Sequence, residues 1–270
     1  MKPKQTFLLS VLMVCLLFSL NAQTNTVAPD TLDSVLSGTI DSGVVRMNFI
    51  KLNLTSLLMK NISVQYERVF NKLLSGAIAV RVMPTTTVPY MFLAYKTFGD
   101  GDPNAEEVIK KIKVSNFAIT PEIRFYLGKK GYGRGFYIAP CYRYARFNIS
   151  NLEYNYGDIP GGQDSTIILS GHLTANTGGF MLGAQWTFGK HLSLDWWIFG
   201  PLIGVENSIL SGVSTVPLSE EIQNDIRENL NKLDIPYTKK TIYVDQNGAS
   251  LQAHGLLAGI RVGLAFGIKF

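Results

Sequence analysis

The last eighteen residues, AHGLLAGIRVGLAFGIKF (253–270), constrain the fold more than any other stretch of the chain. Read with a period of two, one face carries Leu256, Ala258, Ile260, Val262, Leu264, Phe266, Ile268 and Phe270. The other carries Gly255, Leu257, Gly259, Arg261, Gly263, Ala265, Gly267 and Lys269. Alternation at 180° per residue specifies a strand. A transmembrane helix would bury four glycines and Arg261 near its centre, at a cost of about 2.5 kcal/mol for the arginine alone. Strands of soluble proteins usually end after about 5 to 6 residues. A long strand with one apolar face, small or charged residues on the other and a terminal aromatic matches a membrane barrel strand.

The same alternation recurs upstream. Strands are expected at Met47–Leu57, Ile62–Phe70, Leu73–Met83, Ser115–Leu127, Gly135–Ile149, Gly171–Phe188, from His191 onward, and at 253–270. That makes an all-β chain, an eight-stranded antiparallel transmembrane β-barrel, the even count bacterial single-chain barrels require. The connections at 71–72, 128–134 and 189–190 are short and basic or glycine-rich. Those at 84–114, 150–170 and 202–250 are long. Short periplasmic turns and long external loops give this asymmetry, which places both termini in the periplasm of an outer-membrane protein. Phe70, Phe125, Phe136, Trp186, Phe188, Trp196 and Phe266, with Phe270, fall on outward faces near the short-turn end, as a periplasmic interfacial girdle would.

Upstream of the barrel, residues 1–22 read as a signal peptide: Lys2 and Lys4, an apolar run from Phe7 to Leu20, and a cut before Gln23. The cut removes two lysines and no acid, taking the formal charge from +5 to +3, too little to argue for nucleic acid. It leaves Cys141 as the single cysteine, so no intramolecular disulfide is expected. Residues 23–46 are a polar, flexible leader, and 47–270 the barrel. Two short helices are expected in the external loops. One follows Asp102-Pro103; the other spans 220–233, capped by Ser219, with an apolar stripe of Ile222, Ile226, Leu230 and Leu233 folded over the barrel mouth or facing a partner.

The segments 51–80 (KLNLTSLLMKNISVQYERVFNKLLSGAIAV) and 122–144 (EIRFYLGKKGYGRGFYIAPCYRY), with the aromatic-terminated last strand, resemble the bacterial outer-membrane barrels catalogued as a domain of unknown function (3575), common in the Bacteroidetes. The resemblance spans about residues 47–270. It implies an eight-stranded outer-membrane barrel and no particular activity. Phe270 also looks like the signal read by the barrel-assembly machinery.

Inward parity collects eight charged residues: Lys51, Glu67, Arg81, Glu122, Arg124, Arg143, Asp195 and Arg261. They could line a narrow channel for ions or small solutes. An eight-stranded barrel, however, is only wide enough inside for side chains to fill it, so an internal salt-bridge plug is expected instead. Counting from strand ends places Lys51, Glu67, Glu122, Arg124, Arg143 and Arg261 near one level, with Glu67 and Glu122 as the hubs. If Leu127 pairs with Arg134, Pro121 faces Pro140 across strands 4 and 5.

The spacing of His191, Ser193 and Asp195 invites comparison with lipid A deacylases, barrel enzymes that use a His and a Ser. Here the three fall at the periplasmic rim, away from the outer leaflet, with no second element of a hydrolase, so no catalytic activity is expected. No histidine pair has metal-ligand spacing, and the glycine strings at 99–102 and 128–133 lack the strand–helix setting of a phosphate loop; neither metal nor cofactor is expected. Expected partners are outer-membrane lipids and lipopolysaccharide, the assembly machinery during biogenesis, and a possible protein at the external loops.

Overall fold

The structure is a computed structural model that describes residues 47–89, 110–128, 131–157, 165–233 and 236–270. The signal peptide at 1–22, the leader at 23–46 and most of the helix expected after Pro103 lie outside the described residues; of that helix, Lys110 and Lys111 are helical.

Among the described residues nine strands form one antiparallel sheet: β1 Asn48–Asn53, β2 Ile62–Val69, β3 Leu74–Thr87, β4 Lys113–Leu127, β5 Gly135–Gly157, β6 Ser165–Phe188, β7 Leu192–Ser214, β8 Thr238–Asp245 and β9 Gly248–Lys269. Among the described residues two whole helices interrupt them, α1 Leu54–Leu58 and α2 Glu220–Asn231. Each strand pairs with the next from β1 to β7; β7 pairs with β9, and β9 pairs with β1. Eight strands therefore close the ring, each paired with a neighbour on both sides over at least part of its length. β8 is the ninth. It forms a hairpin with the loop-end half of β9, from Thr238 opposite Gly255 to Asp245 opposite Gly248.

β8 corrects the sequence reading, which left 202–250 as a loop carrying one helix. Two further corrections concern strand ends. β5, β6 and β7 run to Gly157, from Ser165 and to Ser214, so hairpins occupy much of the expected external loops. The first strand, conversely, stops at Asn53 instead of Leu57. Asn53 Oδ1 accepts the Ser56 N–H at 3.0 Å, and Ser56 Oγ donates to the carbonyls of Asn53 and Asn61. These local bonds offer the backbone an alternative to the ladder and cap α1.

The β4–β5 register is a fourth correction. Leu127 pairs with Phe136 and Ile119 with Tyr144, two residues away from the expected frame. Gly128, Gly131, Gly133 and Gly135 all take positive φ, so the turn extends through Gly135 rather than releasing the chain at Arg134. Pro121 thus does not face Pro140; it lies opposite Ile78 on β3, and Pro140 lies opposite Phe180 on β6.

Inside and outside are inverted relative to a soluble protein. Outward positions expose Ile50, Leu52, Val64, Ile78, Val80, Phe117, Ile123 and Ile138 among many apolar side chains. The interior at the short-turn half is polar, while its long-loop half is an apolar cluster that includes Met83, Val114, Leu152, Ile167, Leu169 and Leu251. Ile226, Leu230 and Leu233 of the α2 segment are buried in that cluster, so the helix closes the barrel mouth. Ser219 caps α2 as expected, accepting from the Ile222 N–H.

Candidate functional site

The polar half of the interior holds five ionisable side chains in direct contact. Strand alternation turns Lys51 (β1), Glu67 (β2), Glu122 and Arg124 (β4) and Asp195 (β7) inward, and ring closure brings them together. Arg124 is the hub. Its Nη1 lies 2.7 Å from Asp195 Oδ2 and 3.1 Å from Glu67 Oε2, and its Nη2 lies 2.5 Å from Glu122 Oε1. Lys51 Nζ bonds Glu67 Oε2 and reaches Asp195 Oδ2 at 2.8 Å. All five side chains are fully buried.

Neutral groups complete the shell. Gln185 Oε1 accepts from Lys51 at 2.5 Å and from Arg124 at 3.0 Å. Gln65 donates to Glu122 and accepts from Arg124. The hydroxyls of Ser75 and Tyr126 donate to Glu67 Oε1, and that of Tyr137 donates to Asp195 Oδ1 at 2.7 Å. The Arg124 guanidinium stacks on the Tyr137 ring, 4.4 Å from its centroid. With the acids ionised, the three carboxylates exceed Lys51 and Arg124 by one charge, and Arg261 balances it at 3.4 Å from Glu122. Buried charges persist only when paired and hydrogen-bonded to this degree.

Glycines make the room. A Cβ on Gly183 would sit 2.3 Å from Tyr137 Oη, and one on Gly267 would sit 2.7 Å from Lys51 Cγ. The small-residue face of the last strand thus holds the space that Lys51 occupies.

Of the eight predicted luminal charges, the structure brings Lys51, Glu67, Glu122, Arg124, Asp195 and Arg261 into one network and leaves Arg81 and Arg143 above it. Glu67 is shared by Lys51 and Arg124, and Glu122 by Arg124 and Arg261, as expected of the two hubs; the expectation that Arg143 stands at their level and Asp195 at the rim outside it is corrected. Counting from strand ends ignores the stagger between strands that a closed barrel imposes. Asp195 is three residues from the β7 start, yet lies opposite Ala265 of β9, two residues from the partner of Lys51. Gln185, Ser75 and Trp197, whose ring centroid lies 4.9 Å from the Arg261 guanidinium carbon, were not predicted as members. The inward parity of Gln185 was readable; its partners Lys51, Arg124 and Tyr126 were not.

The His191–Ser193–Asp195 comparison finds a different geometry. His191 is exposed in the turn, Ser193 is fully buried, and Asp195 is committed to Lys51, Arg124 and Tyr137. His254 contacts Asn207 at 2.7 Å on the outer face. Among the described residues no group of three His, Cys, Asp or Glu side chains converges as metal ligands would.

The aromatic residues singled out for a girdle all occupy outward positions of the short-turn half. Phe125, Phe136, Phe266 and Phe270 are strongly exposed there, and Phe70 lies 60% exposed at the β2–β3 turn. Trp186, Phe188 and Trp196 stand beside them on β6 and β7, half-buried.

Against curated proteins, no match is found. Residues 34–200, more than half of the chain, match the family described as Protein of unknown function (DUF3575), and the match takes in β1 to β6, the charged side chains they carry, and Asp195 at the start of β7. The chain belongs to this family.

Proposed function

We propose that this protein is an outer-membrane β-barrel with a structural or surface-interaction role, its lumen closed by the Arg124-centred network. One observation carries the reading: around a closed ring, apolar side chains face out while fully buried, paired charges fill the short-turn half of the interior. Soluble monomers rarely expose contiguous apolar patches beyond about 300–600 Å², and a closed barrel is one of only two backbone arrangements that satisfy every polar group in lipid. On this reading the short turns and both ends of the barrel face the periplasm, the girdle sits at the inner interface, and α2 with the β7–β9 region faces outward. Its surroundings are outer-membrane lipid and lipopolysaccharide. The assembly machinery would engage the β9 end during biogenesis, and a protein partner would meet the external loops.

A fully packed layer of paired charges across an eight-stranded lumen disfavours the channel reading, because ions need a continuous wet path. The deciding experiment pairs two measurements on the same preparation. The protein should co-purify with outer membranes and migrate faster in unheated than in heated detergent gels, and in planar bilayers it should show no stable ohmic conductance. Inner-membrane fractionation without the gel shift would refute the location. Steady conductance would replace the closed barrel with a narrow channel.

A further inference from the structure

We infer that the barrel wall contains a side window between β3 and β9 that binds a phosphate-type oxyanion through Arg81, Arg143 and Arg261. The three guanidinium groups line one cavity just above the charge network. It offers roughly 40 Å³ to the centres of water-sized molecules, room for about three waters, the scale of one tetrahedral oxyanion.

The charge balance points to an anion. Glu122 pairs with Arg261, and the remaining network acids pair with Lys51 and Arg124. Arg81 and Arg143 therefore add two cations that no acid among the described residues meets. Arg143 has one hydrogen bond from its guanidinium, to Thr120 Oγ1 at 3.2 Å. Arg81 Nε and Arg261 Nε are buried with no partner among the described residues. Glu206, an inward acid on the β7 rung above Gly204, does not line the cavity. Like charges gathered without counter-charge repel one another, and a bound oxyanion reverses the sign of that interaction.

The wall provides the second observation. On its side away from β7, β9 pairs with β8 up to Gly255 and with β1 from Ala265. Between them, among the described residues, no strand pairs with it. The β1–β2 hairpin with α1 fills only the short-turn end of the place: Asn53 and Thr55 lie against Gly263, Lys60 ties the following turn to Thr87 of β3, and β2 ends opposite Val82 of β3. At the two ends of the stretch the Leu256 N–H donates to the Tyr237 carbonyl and the Leu264 N–H to Thr55 Oγ1. Alternation aims the Ile260 and Val262 N–H groups the same way, into the gap. Ile260 and Val262 themselves line the cavity. Unpaired backbone is tolerated at membrane depth only where it lines a wet or occupied cavity, and N–H groups beside arginines are oxyanion donors.

Free phosphate and the phosphate of a lipid headgroup share this chemistry; a side window admits either. The test uses full-length barrel folded in a phosphate-free detergent, equilibrium dialysis against radiolabelled orthophosphate, and competition by phosphatidic acid with phosphatidylcholine as control. Saturable retention is expected, weakened about tenfold or more by Arg81→Gln or by Arg143→Gln and unchanged by Arg68→Gln on the outer face. Competition by phosphatidic acid assigns the site to a lipid headgroup, and its failure to compete assigns it to free phosphate. Phosphate should also raise the unfolding temperature of the unmutated protein and not that of Arg81→Gln. Because the variant removes a repelling charge, it should fold at least as well as the parent. No saturable retention by the folded parent, or retention by both Arg81→Gln and Arg143→Gln equal to the parent's, would overturn the site.

Discussion

Arg124 Nη1 lies 2.7 Å from Asp195 Oδ2, although the two residues are 71 positions apart and stand on different walls of the barrel. Neither strand touches the other: β4 pairs with β3 and β5, and β7 with β6 and β9. The contact therefore ties two non-adjacent walls of the ring across its interior. Its strength depends on both partners being fully buried and charged. Arg124→Met leaves Glu67, Glu122 and Asp195 with too few cations, and breaking a buried pair from one side costs about 3 to 5 kcal/mol. Asp195→Asn retains an acceptor for Tyr137 and should cost about 1 to 3 kcal/mol. Urea unfolding from lipid vesicles, followed by tryptophan fluorescence, measures both. A loss below 1 kcal/mol for Arg124→Met would contradict its place as the hub.

Gly183 and Tyr137 form a close fit in the polar half. Gly183 lies directly opposite Tyr137 across β5 and β6, and the tyrosine ring covers it. A valine would push the ring away, lengthen the Tyr137–Asp195 hydrogen bond and disturb the stacking on Arg124. Gly183→Val should destabilise the barrel by about 1 to 3 kcal/mol, the range for overpacking. Gly135→Ala is the useful contrast: nothing approaches a Cβ there, but φ is +102°, so any loss reports backbone strain alone. Unfolding of the two variants in the same vesicles would separate the effects, and a Gly183→Val barrel as stable as the parent would disprove the fit.

Ring closure rests on a short seam. β1 and β9 pair over Phe49–Asn53 and Ala265–Lys269, and Phe270 adds the last link, exchanging both backbone hydrogen bonds with Asn48 at 3.0 and 2.9 Å. By comparison β5 and β6 pair over most of their length. Deleting Phe270 removes both of those bonds and an outward aromatic in one step. The deletion variant should fold into vesicles more slowly and lose part of its resistance to unheated detergent. Folding kinetics indistinguishable from the parent would remove Phe270 from both the seam and the proposed assembly signal.

The sequence shows the ring strands because lipid-type alternation persists over many residues, and it shows the luminal charges because parity is independent of register. Counting from strand ends groups Lys51, Glu67, Glu122, Arg124 and Arg261, which do meet, but misses Asp195 and wrongly adds Arg143. Asp195 joins Arg124 only once the stagger between strands is known, and that stagger follows from turns such as 128–135, whose run of positive-φ glycines displaced the β4–β5 frame by two residues. The conversion of Leu54–Leu58 to a helix was encoded locally, in Asn53, Thr55 and Ser56, but the apolar alternation through Leu57 reads equally well as strand. β8 was hidden for the opposite reason. Its sequence, TKKTIYVD, alternates for only eight residues and carries two lysines, so it reads as loop until β9 supplies a partner.

One of those lysines yields the last prediction. Lys240 stands on β8, and its Nζ donates to the carbonyls of Leu230 at 3.0 Å and Asn231 at 2.7 Å, and to that of Leu233. These lie at the end of α2, where the last carbonyls of a helix have no partner within it. α2 has no basic residue in its own last turn, so the charge that complements its dipole comes from the neighbouring strand. Arg227 adds a second tie by donating to the Val244 carbonyl at 3.2 Å. Helix and hairpin thus brace each other over the barrel mouth, with Ile226, Leu230 and Leu233 inserted below. Lys240→Met keeps the aliphatic stem and removes the three donated bonds. The loss should be about 1 to 2 kcal/mol, at the lower end for hydrogen bonds to a charged group because part of the site is exposed. It should appear locally: amides at 230–233 and along 238–245 should exchange faster, while those of β5 and β6 keep their protection. Uniform protection across all these segments in the variant would show that Lys240 does not hold the helix. Uniformly faster exchange would mean that the mouth and the ring unfold as one unit.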